Sequence, residues 1–248
     1  MKITDVRVVH YGHSSVVVET NSSLLIFDYY YGNSSSQEGD EKVGFLSLED
    51  LKTHKNIYVF VSHSHGDHFN EEIFQWQDIN PNIEYILSHD IKEFVSNDKY
   101  YYMNSYESLK LGNLEVKTFG TTDKGVSFLV HIDNRSIFHA GDLNWWHWKN
   151  FTSEEQKREE LDFKREIGYV LGKEIDIAFI PVDPRLEEFY YLAGEYFVQK
   201  VHPKLLVPIH FREDFSVCKK FADKIKTTPV KVAQFYAIGD SISLSNLE

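Results

Sequence analysis

Short stretches in which apolar residues alternate with polar ones, or run together, recur along the chain and predict β-strands. The early strands are expected at residues 3–10, 16–19, 24–28, 57–61 and 85–87. The later strands are expected at residues 116–119, 127–132, 137–139, 175–181, 205–209 and 231–234. Turn-forming residues at 21–23 and 133–134 indicate that some neighbouring strands form hairpins.

Amphipathic segments between and after these strands predict helices. Asn70 is a suitable N-cap for a helix over residues 71–76. Thr152, with Glu155 three residues later, has the spacing of a capping box before a helix that reaches about residue 171. A further amphipathic helix is marked by four apolar positions: Phe215, Cys218, Ala222 and Ile225. Strands together with helices indicate an α/β (α+β) protein.

The length of the chain limits how it can be organised. A chain of 248 residues is long enough for one large domain with a substantial core, and it contains no internal repeat or linker. We therefore predict a single domain over residues 1–248. Residues 32–40 are small and polar, and we expect either an ordinary exposed loop or a loop that gates a substrate site.

Composition and charge exclude several classes of protein. The hydrophobic content of 42% and the charged content of 26% are ordinary for a globular protein. A net charge of -12 disfavours binding to the phosphate backbone of a nucleic acid. No apolar run reaches the roughly 18 residues that a membrane span needs. No signal-peptide pattern is present and Cys218 is the single cysteine, so a cytoplasmic location is expected.

The densest chemical signal is the run His63-Ser64-His65-Gly66-Asp67-His68, which follows the predicted strand 57–61. It contains four candidate metal ligands, and imidazole and carboxylate groups suit zinc, manganese or iron. His63 and His65 point to the same side of an extended backbone, so both can contact one ion. Asp67 and His68 are adjacent and diverge, which suits a second ion or a second coordination direction. A bound cation would balance the desolvation of these side chains, which favours a metal centre over a solvated loop.

This run resembles the His-x-His-x-Asp-His signature of the metallo-β-lactamase superfamily. Other segments resemble that family in the same order along the chain. Residues 11–15 and 24–28 resemble its opening hairpin, residues 136–142 its strand ending in Gly-Asp, and residues 205–211 its final strand ending in a ligand histidine. The resemblance implies the fold of the family, a four-layer αββα sandwich of two sheets covered by helices.

The resemblance also implies how metal ions would be held. Six residues match the ligands of the family: His63, His65, Asp67, His68, Asp142 and His210. His63 and His65 would hold one ion. His68 and His210 would hold the other, with Asp142 as the bridge between the two ions. Asp67 is also the candidate catalytic residue, which would orient or deprotonate the attacking water. One or two divalent ions are expected, zinc first, with manganese or iron as alternatives.

One departure from the family pattern concerns the ion held by His63 and His65. The family usually places a further ligand histidine a few residues before a glycine, and that position falls at about Thr122 here. Asp123 could replace the missing imidazole with a carboxylate oxygen, or Thr122 could hold a water. The alternative is that only the other ion, with Asp67 among its ligands, binds tightly.

Four further residues are candidates for supporting or substrate-binding roles. His13 either faces the site or is an ordinary turn residue, and Asp28 is expected to orient a ligand histidine by a hydrogen bond. Trp145 begins a run of indoles that either lines a pocket or anchors the next helix. Arg185 either binds a carboxylate or phosphate of the substrate or forms a surface ion pair.

The implied function is a metal-dependent hydrolase that uses a metal-activated water on a small-molecule ester, lactone or phosphodiester. The resemblance is greatest to the compact lactonases and phosphodiesterases, and His65 disfavours the flavin-linked diiron members, which usually carry a glutamate there. Two alternatives stay open: a weakly catalytic metal-binding or ligand-sensing protein of the same fold, and a nuclease, which the acidic charge disfavours. A small-molecule substrate is the expected partner, nucleic acid and membranes are not expected, and the chain could form a homo-oligomer.

Overall fold

A computed structural model describes residues 6–31, 46–47, 49–53 and 55–244 of the chain. The predicted loop at 32–40 lies outside the described residues. The chain divides into two compact units, the first within Met1–Met103 and Phe235–Glu248 and the second within Asn104–Gln234. Each unit is built on one sheet of seven strands. The two units are described separately below, and the single domain stays a prediction.

The strands of the described residues are, in chain order, β1 Arg7–His10, β2 Val16–Glu19, β3 Ser23–Phe27, β4 Asn56–Val61, β5 Glu84–Ser88, β6 Tyr101–Met103, β7 Ser108–Leu111, β8 Leu114–Phe119, β9 Ser127–Ile132, β10 Arg135–His139, β11 Ile177–Pro181, β12 Leu205–Ile209, β13 Lys231–Val232 and β14 Ser241–Ser243. The α-helices are α1 Ser153–Gly168, α2 Leu192–Val201 and α3 Ser216–Lys224. Shorter 3-10 helices span Asp50–Lys52, Glu71–Asp78, His89–Glu93 and Pro184–Phe189.

The sheet of the first unit has the strand order β14-β1-β2-β3-β4-β5-β6. Strands β14 to β3 pair antiparallel, whereas β3, β4, β5 and β6 pair parallel. Phe27 lies opposite Phe60 in the parallel pair of β3 and β4. Because parallel strands end at the same edge of a sheet, Asp28 after β3 and His63 after β4 emerge on one edge.

The sheet of the second unit has the strand order β13-β12-β11-β10-β9-β8-β7. Strands β7 to β10 are antiparallel, and β10 to β13 are parallel. Asp133 and Asn134 join β9 to β10 with positive φ angles of 49° and 59°, as a two-residue type I′ hairpin requires. The parallel strands β10, β11 and β12 lead into Asp142, Asp183 and His210, respectively, at one edge.

Each unit has its own hydrophobic cluster. In the first unit Ile26 and Val59 from the sheet pack with Trp76 of the 3-10 helix at Glu71–Asp78. In the second unit the helices contribute buried side chains to a cluster that also contains sheet residues: Phe163 and Ile167 from α1, Phe197 and Val198 from α2, and Cys218 and Phe221 from α3. Burying an aliphatic or aromatic side chain of this size contributes about 1.5–3 kcal/mol. This burial stabilises the three helices, which contain both apolar and polar residues.

The predicted elements agree with the structure in type more closely than in extent. The capping box of Thr152 and Glu155 is present, but α1 ends at Gly168 because glycine is a poor helix former, and Leu171 is exposed. The helix expected at 71–76 is a 3-10 helix, with the Asn70 side chain capping its N-terminus. Three strands were missed, β6, β7 and β14, which are short and only partly buried.

The predicted α+β class is confirmed by the two mixed sheets and their helices. Among the described residues, every helix is too short or too polar to cross a lipid bilayer.

Candidate metal centre

In the first unit, three imidazoles converge in the segment that follows β4. His63 and His68 are buried and their ring centroids lie 4.1 Å apart, whereas His65 is exposed. The segment turns back on itself because the backbone N–H groups of His68 and Phe69 both donate to the carbonyl oxygen of His65. Nε2 of His63 lies 3.0 Å from Nδ1 of His65. The turn therefore gathers the histidines predicted as ligands.

Asp28 orients one of these imidazoles. Its carboxylate accepts hydrogen bonds from Nδ1 of His68 at 2.8 Å and from the backbone N–H and side-chain hydroxyl of Ser62, both at 2.7 Å. Asp28 is fully buried and has a φ of 45°, a strained angle for a residue with a side chain. Because Nδ1 of His68 carries the shared proton, its Nε2 is the nitrogen suited to a metal ion.

His13 and Asp67 form the second pair in this unit. Gly12, with a φ of 100°, turns the chain after β1 and is followed by buried His13, whose Nε2 lies 3.1 Å from Oδ2 of Asp67. The hydrogen bond from the His13 imidazole holds the pKa of the half-exposed Asp67 well below its ordinary range. Asp67 is therefore ionised at neutral pH, which suits a metal ligand and makes it a weak base.

In the second unit, Asp142 and His210 lie side by side. Oδ1 of Asp142 and Nε2 of His210 are 3.1 Å apart, and both residues are buried. Gly141 has a φ of 53° and its N–H donates to Nδ1 of His139 at 3.1 Å, which fixes the turn that presents Asp142. His210 itself has a φ of 67°. Two side chains predicted as ligands thus lie next to each other at the ends of β10 and β12.

Asp183 orients His210 much as Asp28 orients His68. Oδ2 of Asp183 lies 3.0 Å from Nδ1 of His210, and Arg185 donates to both carboxylate oxygens of Asp183 at 2.6–3.0 Å. Burial raises the pKa of Asp183, but the hydrogen bonds of His210 and Arg185 outweigh it and lower the pKa to about 2. The Arg185 guanidinium therefore already binds Asp183, and its predicted contact with a substrate stays a prediction.

The loop at the position of the missing histidine is held by its own hydrogen bonds. The Thr122 hydroxyl donates to the Asn144 carbonyl at 2.6 Å and accepts from the Asn144 N–H at 3.0 Å. It also lies 3.2 Å from the carbonyl oxygen of Asp142. Thr122 is thus engaged by the backbone around Asp142. Asp123 is exposed and offers a carboxylate oxygen within 4.8 Å of one of Asp142.

The tryptophans that follow Asp142 have different surroundings. Trp145 packs against Phe163 of α1 and Tyr196 of α2, with ring centroids 6.1 and 6.2 Å apart, and so anchors these helices. Trp146 lies beside His210 instead, at a centroid distance of 5.5 Å. The aromatic side chain next to a predicted ligand is therefore Trp146, one residue after the predicted Trp145.

Sequence reasoning missed Ser62 and Asp183 as parts of the site, and it named the run of indoles that contains Trp146 without separating Trp146 from Trp145. Asp183 could have been found, because it follows a predicted strand whose parallel neighbour leads into His210. Ser62 carried no signal of its own, and the choice between Trp145 and Trp146 depends on contacts that appear only in the fold.

The residues present fit a divalent ion. Three histidines, His63, His68 and His210, have Nδ1 in hydrogen-bond contact with Ser62, Asp28 and Asp183, respectively. That arrangement assigns Nε2 to ligation, and carboxylates stand beside the imidazoles in both units. Imidazole nitrogen together with carboxylate oxygen is a donor set that zinc, manganese and iron accept.

The fold and these side chains define a member of a known family. A family model described as the beta-lactamase superfamily domain matches residues 7–210, so the chain belongs to this superfamily, in its metallo-β-lactamase form. The matched range includes every predicted metal ligand from His63 to His210.

Among curated relatives, a UPF0173 metal-dependent hydrolase of Bacillus thuringiensis is 24% identical, over 96% of this chain and all of the relative. Among solved structures, the metallo hydrolase Igni18 of Ignicoccus hospitalis has a TM-score of 0.62 at 19% identity, covering 96% of this chain and 98% of that one. The metallo-beta-lactamase fold protein YhfI of Bacillus subtilis has a TM-score of 0.61 at 12% identity, covering 97% and 100%. The predicted metallo-β-lactamase fold is confirmed, and metal-dependent hydrolase is the class that the family and its relatives support.

Proposed function

We propose that this protein is a metal-dependent hydrolase that cleaves a small-molecule ester, lactone or phosphodiester with one or two divalent ions, preferably zinc. The proposed ligands are His63, His65, Asp67, His68, Asp142 and His210, with Asp123 as the substitute for the missing imidazole. The observation that carries the proposal is the pair of buried histidines, His68 and His210, whose Nδ1 atoms are each held by a buried carboxylate. Relatives that match 96% of the chain and are described as metal-dependent hydrolases support the same class.

The ligand groups differ in how firmly they are arranged. His68 and His210 are buried and oriented, and Asp142 is buried between β10 and the Thr122 loop. His65 and Asp123 are exposed. Since ligands that are already fixed lose less entropy on binding, we propose that the ion with His68, Asp142 and His210 binds more tightly than the ion with His65.

A bound divalent ion supplies a Lewis acid and makes hydroxide available from water near neutral pH. The chain contributes the rest. Asp67 stays ionised beside His13, so it accepts a hydrogen bond from water and orients it for attack. Asp28 and Asp183 hold the imidazoles in one tautomer, which keeps the donor atoms in place through the reaction.

The nature of the substrate follows from charge. A chain with a net charge of -12 repels polyanions, which supports a small-molecule substrate over a nucleic acid.

The one cysteine, Cys218, is buried in the helix cluster of the second unit, which is compatible with a reducing cytoplasmic location.

The test is turnover of an ester, lactone and phosphodiester panel by protein reconstituted with zinc or manganese. The Asp142→Asn variant should lose at least about 100-fold in kcat/KM, since a ligand mutation removes transition-state stabilisation. Asp176→Asn is the matched control, because Asp176 is a mostly buried carboxylate of the same unit that pairs with Arg135 and Lys204. That variant should keep its activity.

Other outcomes would select other functions. Tight metal binding without turnover above the Asp142→Asn background would favour the weakly catalytic metal-binding or ligand-sensing protein. Cleavage of RNA or single-stranded DNA that falls steeply with salt would favour the nuclease.

A further inference from the structure

Among the described residues of the second unit, Asn144 and Trp146 carry buried hydrogen-bond donors without an acceptor. Asn144 is 1% exposed and Trp146 is 8% exposed. Within the described residues, Nδ2 of Asn144 and Nε1 of Trp146 have no hydrogen-bond partner. Such groups are rare in native proteins because desolvation without a hydrogen bond is unfavourable, so each calls for an explanation.

Hydrogen bonds fix both the backbone and the side-chain oxygen of Asn144, but not its amide nitrogen Nδ2. Its backbone N–H and carbonyl are both bound to the Thr122 hydroxyl, and its Oδ1 accepts the N–H of Trp145 at 2.9 Å. The amide nitrogen is therefore the remaining polar atom of a side chain that cannot turn without breaking the bond to Trp145. Asn144 is two residues beyond Asp142, a proposed metal ligand.

Trp146 is placed next to His210 by a tight turn. The N–H of His147 donates to the carbonyl oxygen of Trp145 at 2.7 Å, a γ-turn with Trp146 at its centre. The Trp146 ring meets the His210 ring edge to face at 5.5 Å, and it lies parallel to the Trp148 ring at 5.8 Å. The Trp146 indole thus lies beside His210, a proposed metal ligand, and is backed by a second flat aromatic surface.

We propose that Asn144 and Trp146 are substrate-binding residues that donate hydrogen bonds to a carbonyl or carboxylate oxygen of the substrate. This inference rests on the proposed function and narrows its substrate class to acyl compounds that carry a planar or apolar group for the Trp146–Trp148 surface. Both donors are neutral, and neither amide nor indole nitrogen accepts a hydrogen bond, so the group they bind is an acceptor. The unfavourable burial in the free protein is relieved when that acceptor arrives.

Trp145 provides an internal comparison. Its indole N–H also has no partner among the described residues, but its ring packs on Phe163 and Tyr196, with Lys164 Nζ 4.6 Å from the ring centroid. It anchors helices rather than facing His210. Removal of this N–H should therefore leave ligand binding unchanged.

The experiment is calorimetric titration of benzoate, which combines one carboxylate with one planar ring, into zinc-loaded and into metal-free protein. Trp146→Phe keeps an aromatic ring and removes the donor, and Asn144→Asp keeps the acceptor for Trp145 and replaces the donor with a negative charge. We expect each variant to weaken benzoate binding about tenfold in both metal states, as loss of a hydrogen bond to a carboxylate does. Trp145→Phe should bind as the wild type does.

Thermal unfolding of the same variants shows whether the N–H is free for a ligand. If it is, Trp146→Phe leaves the melting temperature of the free protein equal or slightly higher, because an unpaired buried donor has been removed. Equal effects of Trp146→Phe and Trp145→Phe on affinity would overturn the inference, as would absence of benzoate binding to the wild type in both metal states. If no panel substrate is turned over but benzoate affinity still depends on Trp146, the proposed function fails and the binding site stands.

Discussion

The two histidine–carboxylate pairs of this protein show two ways of fixing a metal ligand. In the first unit, Asp28 holds His68 from a fully buried position, where Ser62 completes its hydrogen bonds through backbone and hydroxyl. In the second unit, Asp183 holds His210, and its other hydrogen bonds come mainly from Arg185, a side chain that is 40% exposed. One pair is fixed by buried structure and the other by a charged side chain at the surface.

This difference decides what each pair loses on mutation. Removing Asp28 deprives three buried donors of their acceptor, two on Ser62 and one on His68. Removing Asp183 deprives one buried donor, Nδ1 of His210, and releases an arginine that can turn into water. Loss of the carboxylate that orients His68 should therefore destabilise the first unit more than loss of the carboxylate that orients His210 destabilises the second.

Each unit also has a turn in which a histidine at the end of a strand accepts a hydrogen bond from a glycine N–H. His10 at the end of β1 accepts the N–H of Gly12 through Nδ1, and His139 at the end of β10 accepts the N–H of Gly141 in the same way. Each glycine has a positive φ and is followed by a site residue, His13 or Asp142.

The largest contrast should come from Asp28→Ala and Asp183→Ala. We expect Asp28→Ala to weaken metal binding about 100-fold and Asp183→Ala about tenfold, within the range known for residues that orient metal ligands. Asp28→Ala should also lower the free energy of unfolding by about 3 kcal/mol, because several buried donors lose their acceptor. Metal titration and urea unfolding measure both effects. Equal losses in both quantities would remove the distinction between the two pairs.

The turn at His10 predicts a pH dependence of stability. Burial lowers the pKa of His10 from 6.5 to about 4, with His13 and Asp240 nearby, so the folded protein keeps this imidazole neutral. Below pH 6.5 His10 is protonated in the unfolded chain but stays neutral in the folded chain until the pH nears 4, so the free energy of unfolding falls as the pH falls. His10→Asn keeps an acceptor for Gly12 and should recover about 2 kcal/mol of this loss at pH 5.

Urea unfolding at pH 7.5 and at pH 5 measures this effect as a difference between variants. His89→Asn, a change at an exposed histidine, is the control and should follow the wild type. If the free energy of unfolding falls between pH 7.5 and pH 5 by the same amount in His10→Asn as in the wild type, other groups cause the acid sensitivity.

The Thr122 loop tests how the second unit presents Asp142. Thr122→Val removes the hydroxyl that joins the backbone of Asp142 and Asn144, and it should lower the free energy of unfolding by about 1–2 kcal/mol. It should also reduce turnover several-fold with little change in metal content. Thr121→Val is the matched control, since the Thr121 hydroxyl bonds only to Lys124 among the described residues. The account of the loop fails if the two variants behave alike.

The smallest effect is expected at Arg185. Arg185→Gln should weaken metal binding about threefold, because Asp183 keeps its bond to His210 and loses only a partly solvated ion pair. Lys149→Gln, at an exposed lysine that pairs with Glu187, is the control. A loss in substrate affinity that far exceeds the loss in metal affinity would instead support the predicted contact between Arg185 and the substrate.

The fold was largely predictable because its signals are local and repeated. Strands such as β2, β9 and β12 have the predicted bounds, since each is a short apolar run between turn residues. The capping box at Thr152 likewise depends on residues three apart. Short, half-exposed strands such as β7 have a weak pattern, and they pair only because a neighbouring strand is already in place.

The site was predictable only as far as its ligands. The dense run from His63 to His68 is recognisable in the sequence. The residues that orient its histidines either lie far away along the chain or depend on side-chain rotamers. Arg185 illustrates the limit, because a surface arginine near a strand end has the same sequence pattern whether it binds a substrate or a neighbouring aspartate.

The most direct test of the central claim is the metal content of reconstituted wild-type protein beside His68→Ala, His210→Ala and His65→Ala. The account predicts that His68→Ala and His210→Ala each lose the tightly bound ion, whereas His65→Ala retains it. A protein that takes up no divalent ion, or one that loses it only in His65→Ala, would contradict the account.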